Sequence, residues 1–374
     1  MALCAVAMSG GVDSSVAAAL LQQSGYDLVG IGMNLYRENR KGGPLKSSDG
    51  EPPLESARQV ARRLSIPFKE IDFASAFEQN VINYFVSSYL NGETPNPCVE
   101  CNRLIKFGEL MKAARELGAD CLATGHYARV ELDSARGHHL LMKGVDKLKD
   151  QSYFLYTLTR EQLEFARFPL GAMTKDDTRE VARKLDLGVH EHTESQDLCW
   201  VGPGGYRAFL EECAGVHIRP GPILNQAGEE VGTHRGLAFY TPGQRRGLGL
   251  SLPEKAWVMD IDVASNSITV ALGEKPEAVD SIWLDRFNYP GADEPPHPVN
   301  VSAVTRYGRR GVPARLVPLG KNRARVDLDT PGQPVAPGQS VVCYQGDVVT
   351  GGGVAVKPTR AKQLQDPFPA DPDQ

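Results

Sequence analysis

The sequence predicts an α/β protein: a doubly wound parallel sheet, then a small mixed α/β linking domain, then a C-terminal β-barrel. Three observations carry this. Apolar runs of strand length alternate with segments of helical periodicity through roughly the first 130 residues, the pattern of βαβ units. After about Gly205 the elements shorten and alternate apolar with polar residues. From Ile282 to Val356 short alternating segments follow one another between Gly and Pro turns, as in a small barrel. The expected divisions are 1–205, 206–277 and 278–357, with a polar, Pro-rich tail over 358–374 expected to be disordered.

Taken in order, Leu3 to Met8 reads as a buried strand and Val16 to Gln23 as a helix closed by Gly25. Further strands are expected over Asp27–Leu35, Ile66–Phe73 and Asp120–Thr124. Helices are expected over Leu54–Leu64 and Leu104–Leu117, the latter with Leu104, Phe107, Met111, Ala114 and Leu117 facing inward and Gly118 closing it. The polar stretch from Arg37 to Pro53 reads as a mobile loop. Thr174 caps a helix running to Leu185, with Gly188 after it. Later come a short helix over Tyr206–Cys213, small β elements over Ile223–Val231 and Leu237–Tyr240, and a hairpin over Trp257–Leu272 turning at Ser265-Asn266-Ser267.

A parallel sheet binds ligands at the carboxyl ends of its strands. There lie Ser9-Gly10-Gly11-Val12-Asp13-Ser14-Ser15, Met33 and Thr124-Gly125-His126. A strand, a Gly-Gly turn and a helix N-terminus make an anion site, since backbone amides approach phosphate oxygens and the first helical turn points its amides the same way. No Gly-Lys-Ser/Thr follows, so this is not a Walker loop. An aspartate in the turn suits Mg²⁺ held against a leaving pyrophosphate. The plain alternative is a Ser-capped turn with no ligand. Gly125 would let a ribose or adenine ring pack on backbone, or is an ordinary strand-end glycine. His126 could touch substrate or be a satisfied core histidine.

Thr94-Pro95-Asn96-Pro97-Cys98-Val99-Glu100-Cys101-Asn102 is held extended by its prolines. It places Cys98 and Cys101 at or just before a helix N-terminus, where the dipole is expected to favour thiolate. A redox disulfide or half of a zinc site are the alternatives, and no second Cys-x-x-Cys is present in the sequence. In Thr193-Glu194-Ser195-Gln196-Asp197-Leu198-Cys199-Trp200 the polar flanks suggest that Cys199 lies in a cleft. Cys4, Cys121, Cys213 and Cys343 fall in apolar patterns and read as core.

Composition bounds the partners. The 374 residues are 41% hydrophobic and 23% charged with a formal charge of −5, so any nucleic-acid surface must be a local patch. Residues 301–326 supply one candidate, with basic residues at 306, 309, 310, 315, 321, 323 and 325, no acid, and Tyr307 interleaved. Thr241 to Gly249, basic and Gly-rich, is another. The N-terminus lacks the basic flank of a signal peptide, and no apolar run approaches a membrane span. With seven cysteines and no export signal, a reducing, cytoplasmic setting is expected.

Taken together these stretches resemble the tRNA-specific 2-thiouridylases, members of the N-type ATP pyrophosphatases. The resemblance runs from residue 2 to about 356. It rests on Ser9 to Ser14, Thr94 to Asn102 with Ile105-Lys106-Phe107, Ala123 to Tyr127, Lys149 to Phe154, Ser195 to Cys199 and Thr241 to Arg245. It implies an adenine nucleotide α-hydrolase-like first domain. ATP would lie on Ala7, Met8, Ser9, Gly10, Gly11, Val12, Asp13 and Ser14, with Met33 and Gly125 framing the adenosine and Mg²⁺ beside the phosphates. The anticodon stem-loop of a tRNA would present its wobble uridine to Asn96, Pro97 and Cys98, with His126, Lys149, Asp150, Gln151, Arg306, Tyr307 and Gln339 also contacting tRNA. The resemblance further implies that the uridine C2 oxygen is adenylated and then displaced by sulfur. Cys199 would carry sulfur as a persulfide received from a donor protein, and Cys101 would form a disulfide with it in turn. Cys98, Cys101 and Cys199 could instead hold a [4Fe–4S] cluster with one iron free for sulfide. Two other classes stay open: another adenylating ligase of the pyrophosphatase group, and a non-catalytic ATP- and RNA-binding module whose cysteines bind metal.

Overall fold

The computed structural model describes residues 1–35, 54–135, 137–189, 198–202, 204–214, 217–273 and 275–357. The expected loop over 37–53, the run from Thr193 to Asp197 and the expected disordered tail lie outside the described residues.

The first half builds one parallel sheet. Its strands are β1 (Leu3–Ala7), β2 (Asp27–Asn34), β3 (Phe68–Asp72), β4 (Cys121–Ala123) and β7 (Ala166–Arg167), in the order β3-β2-β1-β4-β7. Successive side chains go to opposite faces, and both faces are dry. Ala5, Val29, Ile31 and Leu122 belong to one core with Phe77, Phe85, Leu110 and Met111. Cys4, Val6, Leu28, Cys121 and Ala123 belong to another with Val16, Ala17, Ala57, Val60 and Ala182. The helices covering them include α1 (Val12–Gln23), α2 (Glu55–Arg63), α4 (Asn83–Leu90), α6 (Leu110–Glu116) and α8 (Lys175–Lys184). The doubly wound sheet is therefore present.

Four local expectations need correction. The segment expected to stay extended over Thr94–Asn102 is helical from Pro97 onward. Helix α1 begins at Val12 rather than Val16, so Asp13 and Ser14 already stand in its first turn. The segment expected to be an α-helix from Leu104 is π-helical over Cys101–Glu109 before α6 begins. Bonding from i to i+5 turns the face, so Ile105 is fully buried while Leu104 is only half-buried. Leu237–Tyr240, expected as β, is a 3₁₀ turn over Leu237–Phe239.

The second sheet joins β8 (Gly221–Leu224), β9 (Glu230–His234), β10 (Ala256–Asp262) and β11 (Ser267–Leu272) in the order β10-β11-β8-β9. Only β11 and β8 run parallel in it, and Asn266 takes the left-handed conformation (φ 50°) at the β10–β11 turn. Strands β12 (Val279–Asn288), β13 (Val299–Val304), β14 (Val312–Gly320), β15 (Arg323–Gly332), β16 (Ser340–Gln345) and β17 (Val348–Ala355) close into an antiparallel barrel, because β12 pairs with both β15 and β17. Gly351 and Gly353 leave the room inside it that the Phe287 ring fills.

An unexpected hairpin ties the barrel to the first half. β5 (Ala128–Asp133) and β6 (His138–Lys143) leave the parallel sheet just after the His126 corner, and β6 pairs with β17 at Met142–Val348. Residues 152–158 seal the same joint. Tyr153 Oη donates to the Ser340 carbonyl (2.8 Å), and Asn288 Nδ2 donates to the Tyr156 and Leu158 carbonyls (2.7 and 3.0 Å). Among the described residues no helix is long and apolar enough to cross a membrane.

Candidate active site

The phosphate loop is built by its glycines and serines. Gly10 has φ +82°, and a Cβ there would come within 2.7 Å of the Ala57 amide nitrogen, so only glycine fits. Ser9 N donates to Ser14 Oγ (3.2 Å), and Ser15 Oγ donates to the Gly11 carbonyl (2.9 Å), which fixes the turn against α1. Asp13 projects from the first turn with its side chain 35% exposed. Its Oδ1 accepts from Tyr127 Oη (2.8 Å) and from Lys175 Nζ (2.7 Å). Tyr127 comes from the turn before β5 and Lys175 from the start of α8, so three distant segments converge on one carboxylate. Sequence reasoning missed both partners.

Gly125 lies directly under this loop. A Cβ would stand 2.8 Å from Asp13 C and from Ser14 N, so its bare face is turned to the loop backbone. Met33, half-buried, is the last residue but one of β2, at the same edge of the sheet.

His126 continues from Gly125 into the core. It is buried between Phe107 and Phe168, with ring centroids 6.1 and 5.9 Å away. Burial, then the neighbouring Lys106 ammonium, holds its pKa well below the usual histidine value. An ammonium can only donate, so Nε2 accepts from Lys106 Nζ (3.3 Å) and Nδ1–H donates to Thr124 Oγ1 (2.7 Å). The core-histidine alternative describes this placement.

Lys106 sits in the π-helical segment that Cys101 begins. Five residues span about 500° in an α-helix, which would put the two on different faces. In a π-helix residues five apart are hydrogen-bonded neighbours. Cys101 is 9% exposed, and burial pushes its thiol up to about 12, with Lys106 opposing and the Cys199 and Cys98 thiols adding to the rise. The dipole expectation fails here because desolvation outweighs a helix end. Cys98, in the first turn of α5 (Pro97–Glu100), is half-buried, and Cys199 is exposed. Cys4, Cys121 and Cys343 are buried as expected, but Cys213 is exposed.

No cysteine is joined in a disulfide, so the expected Cys101–Cys199 bridge is not formed in this structure. Among the described residues no group of three side chains of metal-binding type is set to hold a metal ion. For Mg²⁺ the demand is smaller: one carboxylate plus phosphate oxygens and water is an ordinary set, and Asp13 fits it. Cys199 is positioned by its neighbour. Trp200 is buried edge-on against Phe85 (5.0 Å) and Phe209 (4.7 Å). Beside Cys101, buried Asn102 donates from Nδ2 to the Phe154 carbonyl (3.1 Å) while its Oδ1 has no partner. Glu100, also buried, accepts from Arg103 (2.5 Å) and from Arg286 of β12 (3.3 Å).

The remaining candidates frame the Asn96–Cys98 corner. Asn96 Oδ1 caps α5 by accepting from Val99 N (3.4 Å), and Pro97 is buried. The barrel reaches this corner twice. Tyr307, 41% exposed, packs its ring 4.4 Å from that of Phe154 and lies within electrostatic reach of Asp150, Asp146 and Cys98. Gln339 Nε2 donates to the Thr94 carbonyl (2.9 Å), and the Pro337 carbonyl accepts from Thr94 N (2.7 Å). Thr94 Oγ1 also meets Thr241 Oγ1 (3.2 Å), so all three parts of the chain touch one threonine. Asp150 accepts from the Gly144 and Ser152 amides, and Gln151 exchanges hydrogen bonds with the Tyr127 backbone. Lys149 is half-buried and Arg306 exposed.

The basic run over 301–326 is not one patch. Arg306, Arg309 and Arg310 are exposed on the β13–β14 loop beside Tyr307. Lys321 and Arg323 sit across the 9 residues of β14, about 30 Å away. Arg325 pairs with Asp327 (2.7 Å) over the Trp283 ring. In the second candidate, Arg245 and Arg246 are exposed on a loop held to β10 by Val258 N donating to the Gln244 carbonyl (2.9 Å).

Comparison with known proteins matches the sequence to a family. The profile of the tRNA methyl transferase HUP domain covers residues 2–203, that of the tRNA methyl transferase PRC-barrel domain 207–272, and that of the aminomethyltransferase beta-barrel domain 264–355. The chain is 46% identical to the tRNA-specific 2-thiouridylase MnmA of Moorella thermoacetica over 93% of this chain and 98% of that one. It is 45% identical to the protein of the same name from Geotalea uraniireducens over 93% of each. Among solved structures, a 4-thiouridine synthetase–RNA complex with bound ATP is 14% identical over 58% of this chain and 51% of that one. The TM-score of that match is 0.34.

Proposed function

The chain belongs to the tRNA-specific 2-thiouridylase family, and on that premise we propose that it is a tRNA-uridine 2-sulfurtransferase using ATP. One observation supports this most. The phosphate loop and the sulfur site are joined by an unbroken run of contacts: Asp13 and Ser14 on Gly125, His126 next in sequence, Lys106 on His126, and Lys106 on the π-helical segment with Cys101. A nucleotide on the loop and a base beside Cys101 would share one cleft.

In this reading residues 1–205 form the catalytic domain, 206–277 the linking domain and 278–357 the tRNA-contacting barrel. ATP lies on Ala7 to Ser14 between Met33 and Gly125. The C2 oxygen of the wobble uridine attacks the α-phosphorus, the bond to the β-phosphate oxygen breaks, and pyrophosphate leaves. Mg²⁺ held at Asp13 would neutralise charge on the departing phosphates, and the loop amides stabilise the rest. The terminal sulfur of a Cys199 persulfide then bonds to C2 and expels AMP. The Cys101 sulfur attacks the Cys199 sulfur, which forms their disulfide and frees 2-thiouridine. An external thiol reductant resets the pair, and a donor protein reloads Cys199. Because burial holds Cys101 as a thiol, it becomes a nucleophile only once tRNA and the Cys199 segment rebuild its surroundings. Arg306, Tyr307 and Lys149 would meet the anticodon stem-loop. His126, Asp150, Gln151 and Gln339, already engaged with the protein itself, would hold that surface in shape.

The test is tRNA-dependent release of pyrophosphate from ATP, with 2-thiouridine in the product tRNA read by mass. Release without thiolation in the presence of a loaded sulfur donor would point to a different adenylating ligase, and neither to a passive binder. Full activity in anaerobically prepared, iron-free protein excludes the cluster route.

A further inference from the structure

Lys175 occupies a position that every local rule disfavours. It is the first residue of α8, where the positive end of the helix dipole repels a cation. Thr174 and Asp177 already cap that end reciprocally, so the lysine is not needed there. Its side chain is 7% exposed, and lysine is seldom so buried without a partner. Ordering its long stem adds an entropic cost. Against these stand the ion pair with Asp13 (2.7 Å) and the Tyr127 ring 5.8 Å away. A residue that breaks local consistency in this way marks a functional position. The partner is the one acid of the phosphate loop.

Its backbone faces the other way. Lys175 N donates to Asp146 Oδ2 (3.0 Å), while Asp146 Oδ1 accepts from the Leu148 and Lys149 amides. One residue thus joins the phosphate loop, through its ammonium, to the loop carrying Lys149 to Gln151, through its amide.

We propose that Lys175 is a pyrophosphate-binding residue. Its ammonium rests on Asp13 in the free enzyme and moves onto the β- and γ-phosphate oxygens when ATP arrives, which frees the Asp13 carboxylate. The inference rests on the reading that ATP binds at residues 7–14. A site whose one acidic side chain faces a polyanion needs a fixed positive charge, and loop amides supply only partial charges. Lysine suits the task, being a point charge on a flexible stem that can change partner without moving the helix.

Calorimetric titration of the full-length protein with ATP, AMP and inorganic pyrophosphate tests it. Lys175→Met keeps the stem and removes the charge. We expect the Kd values for ATP and pyrophosphate to rise at least tenfold and that for AMP to stay within twofold, with Lys175→Arg intermediate. A purely structural ion pair would weaken all three ligands by one factor, and that result, or no change in any, overturns the inference. If the methionine variant does not fold, the arginine variant carries the test, since misplaced charge must still weaken ATP and pyrophosphate more than AMP. Wild-type protein that binds no ATP sinks the proposed function instead.

Discussion

The two halves of the candidate site, the phosphate loop and the cysteines, are in different states of readiness. Around Asp13 everything is in place: a turn that only glycine can make, a hydroxyl network, and a buried lysine and a tyrosine on the carboxylate. Around Cys101 the thiols are within electrostatic reach of one another, yet one is buried, one half-buried and one exposed, and no disulfide joins them. On the proposed reaction, the difference follows from chemistry. Phosphoryl transfer gains most from dipoles fixed before substrate arrives. A persulfide and a nucleophilic thiolate are reactive species that a cell does better to generate only when the acceptor base is present.

Separating the halves by mutation should have the largest effect. Cys101→Ala and Cys199→Ala should each lower thiolation by on the order of 10⁶, the scale of losing a nucleophile. Both leave tRNA-dependent pyrophosphate release within a few-fold of wild type. If pyrophosphate release collapses as well, the halves are one unit and the contrast is wrong.

Thiol reactivity tests the same contrast without mutation. A thiol raised from 9 to about 12 carries roughly a thousandfold less thiolate near neutral pH. Iodoacetamide followed by peptide mass mapping should therefore label exposed Cys199 long before Cys101 at pH 7.5. Burial favours the protonated form of Cys101, so its labelling should keep climbing with pH well past 9. Addition of tRNA and a non-hydrolysable ATP analogue should accelerate it. Equal rates at pH 7.5 would mean that the sulfur half is as ready as the phosphate half.

Gly125→Ala probes the finished half. The added methyl meets backbone 2.8 Å away at Asp13 and Ser14, which no side-chain rotation relieves. The protein should lose about 1–3 kcal/mol of stability, and pyrophosphate release should fall about 10- to 100-fold as the loop shifts. Labelling of Cys199 should be unchanged.

What could be read in advance follows the same line. The phosphate loop, the βαβ alternation and the Thr174 cap are written in neighbouring residues, so turn chemistry and periodicity suffice to find them. Lys175 is different. In sequence it is a surface-like charge beginning a capped helix, and its role arises from a partner 162 positions away. The π-helical stretch at Cys101 leaves the apolar spacing almost unchanged, so Leu104 was expected inside where Ile105 lies. Seven like charges in the barrel suggested one patch, but strand direction set Arg306, Arg309 and Arg310 before β14 and Lys321 and Arg323 after it. Burial of Cys101, and with it the failure of the dipole expectation, depends on tertiary packing that no local pattern encodes.

The smallest effect comes from the corner where the three parts of the chain meet. Gln339 Nε2 holds the Thr94 carbonyl, while the Thr94 amide is held by the Pro337 carbonyl whatever side chain stands at 339. Gln339→Ala removes one of these two bonds, a net loss of about 1 kcal/mol. The Asn96–Cys98 corner should loosen, and the KM for tRNA should rise a few-fold while kcat and the Kd for ATP hold. A direct contact between Gln339 and tRNA would give the same KM. Hydrogen exchange in the free protein tells the two apart: only the internal bond makes the amides of residues 94–99 exchange faster before any tRNA is added. If exchange there is unchanged, the barrel does not brace the corner through Gln339, and its part in tRNA binding is direct.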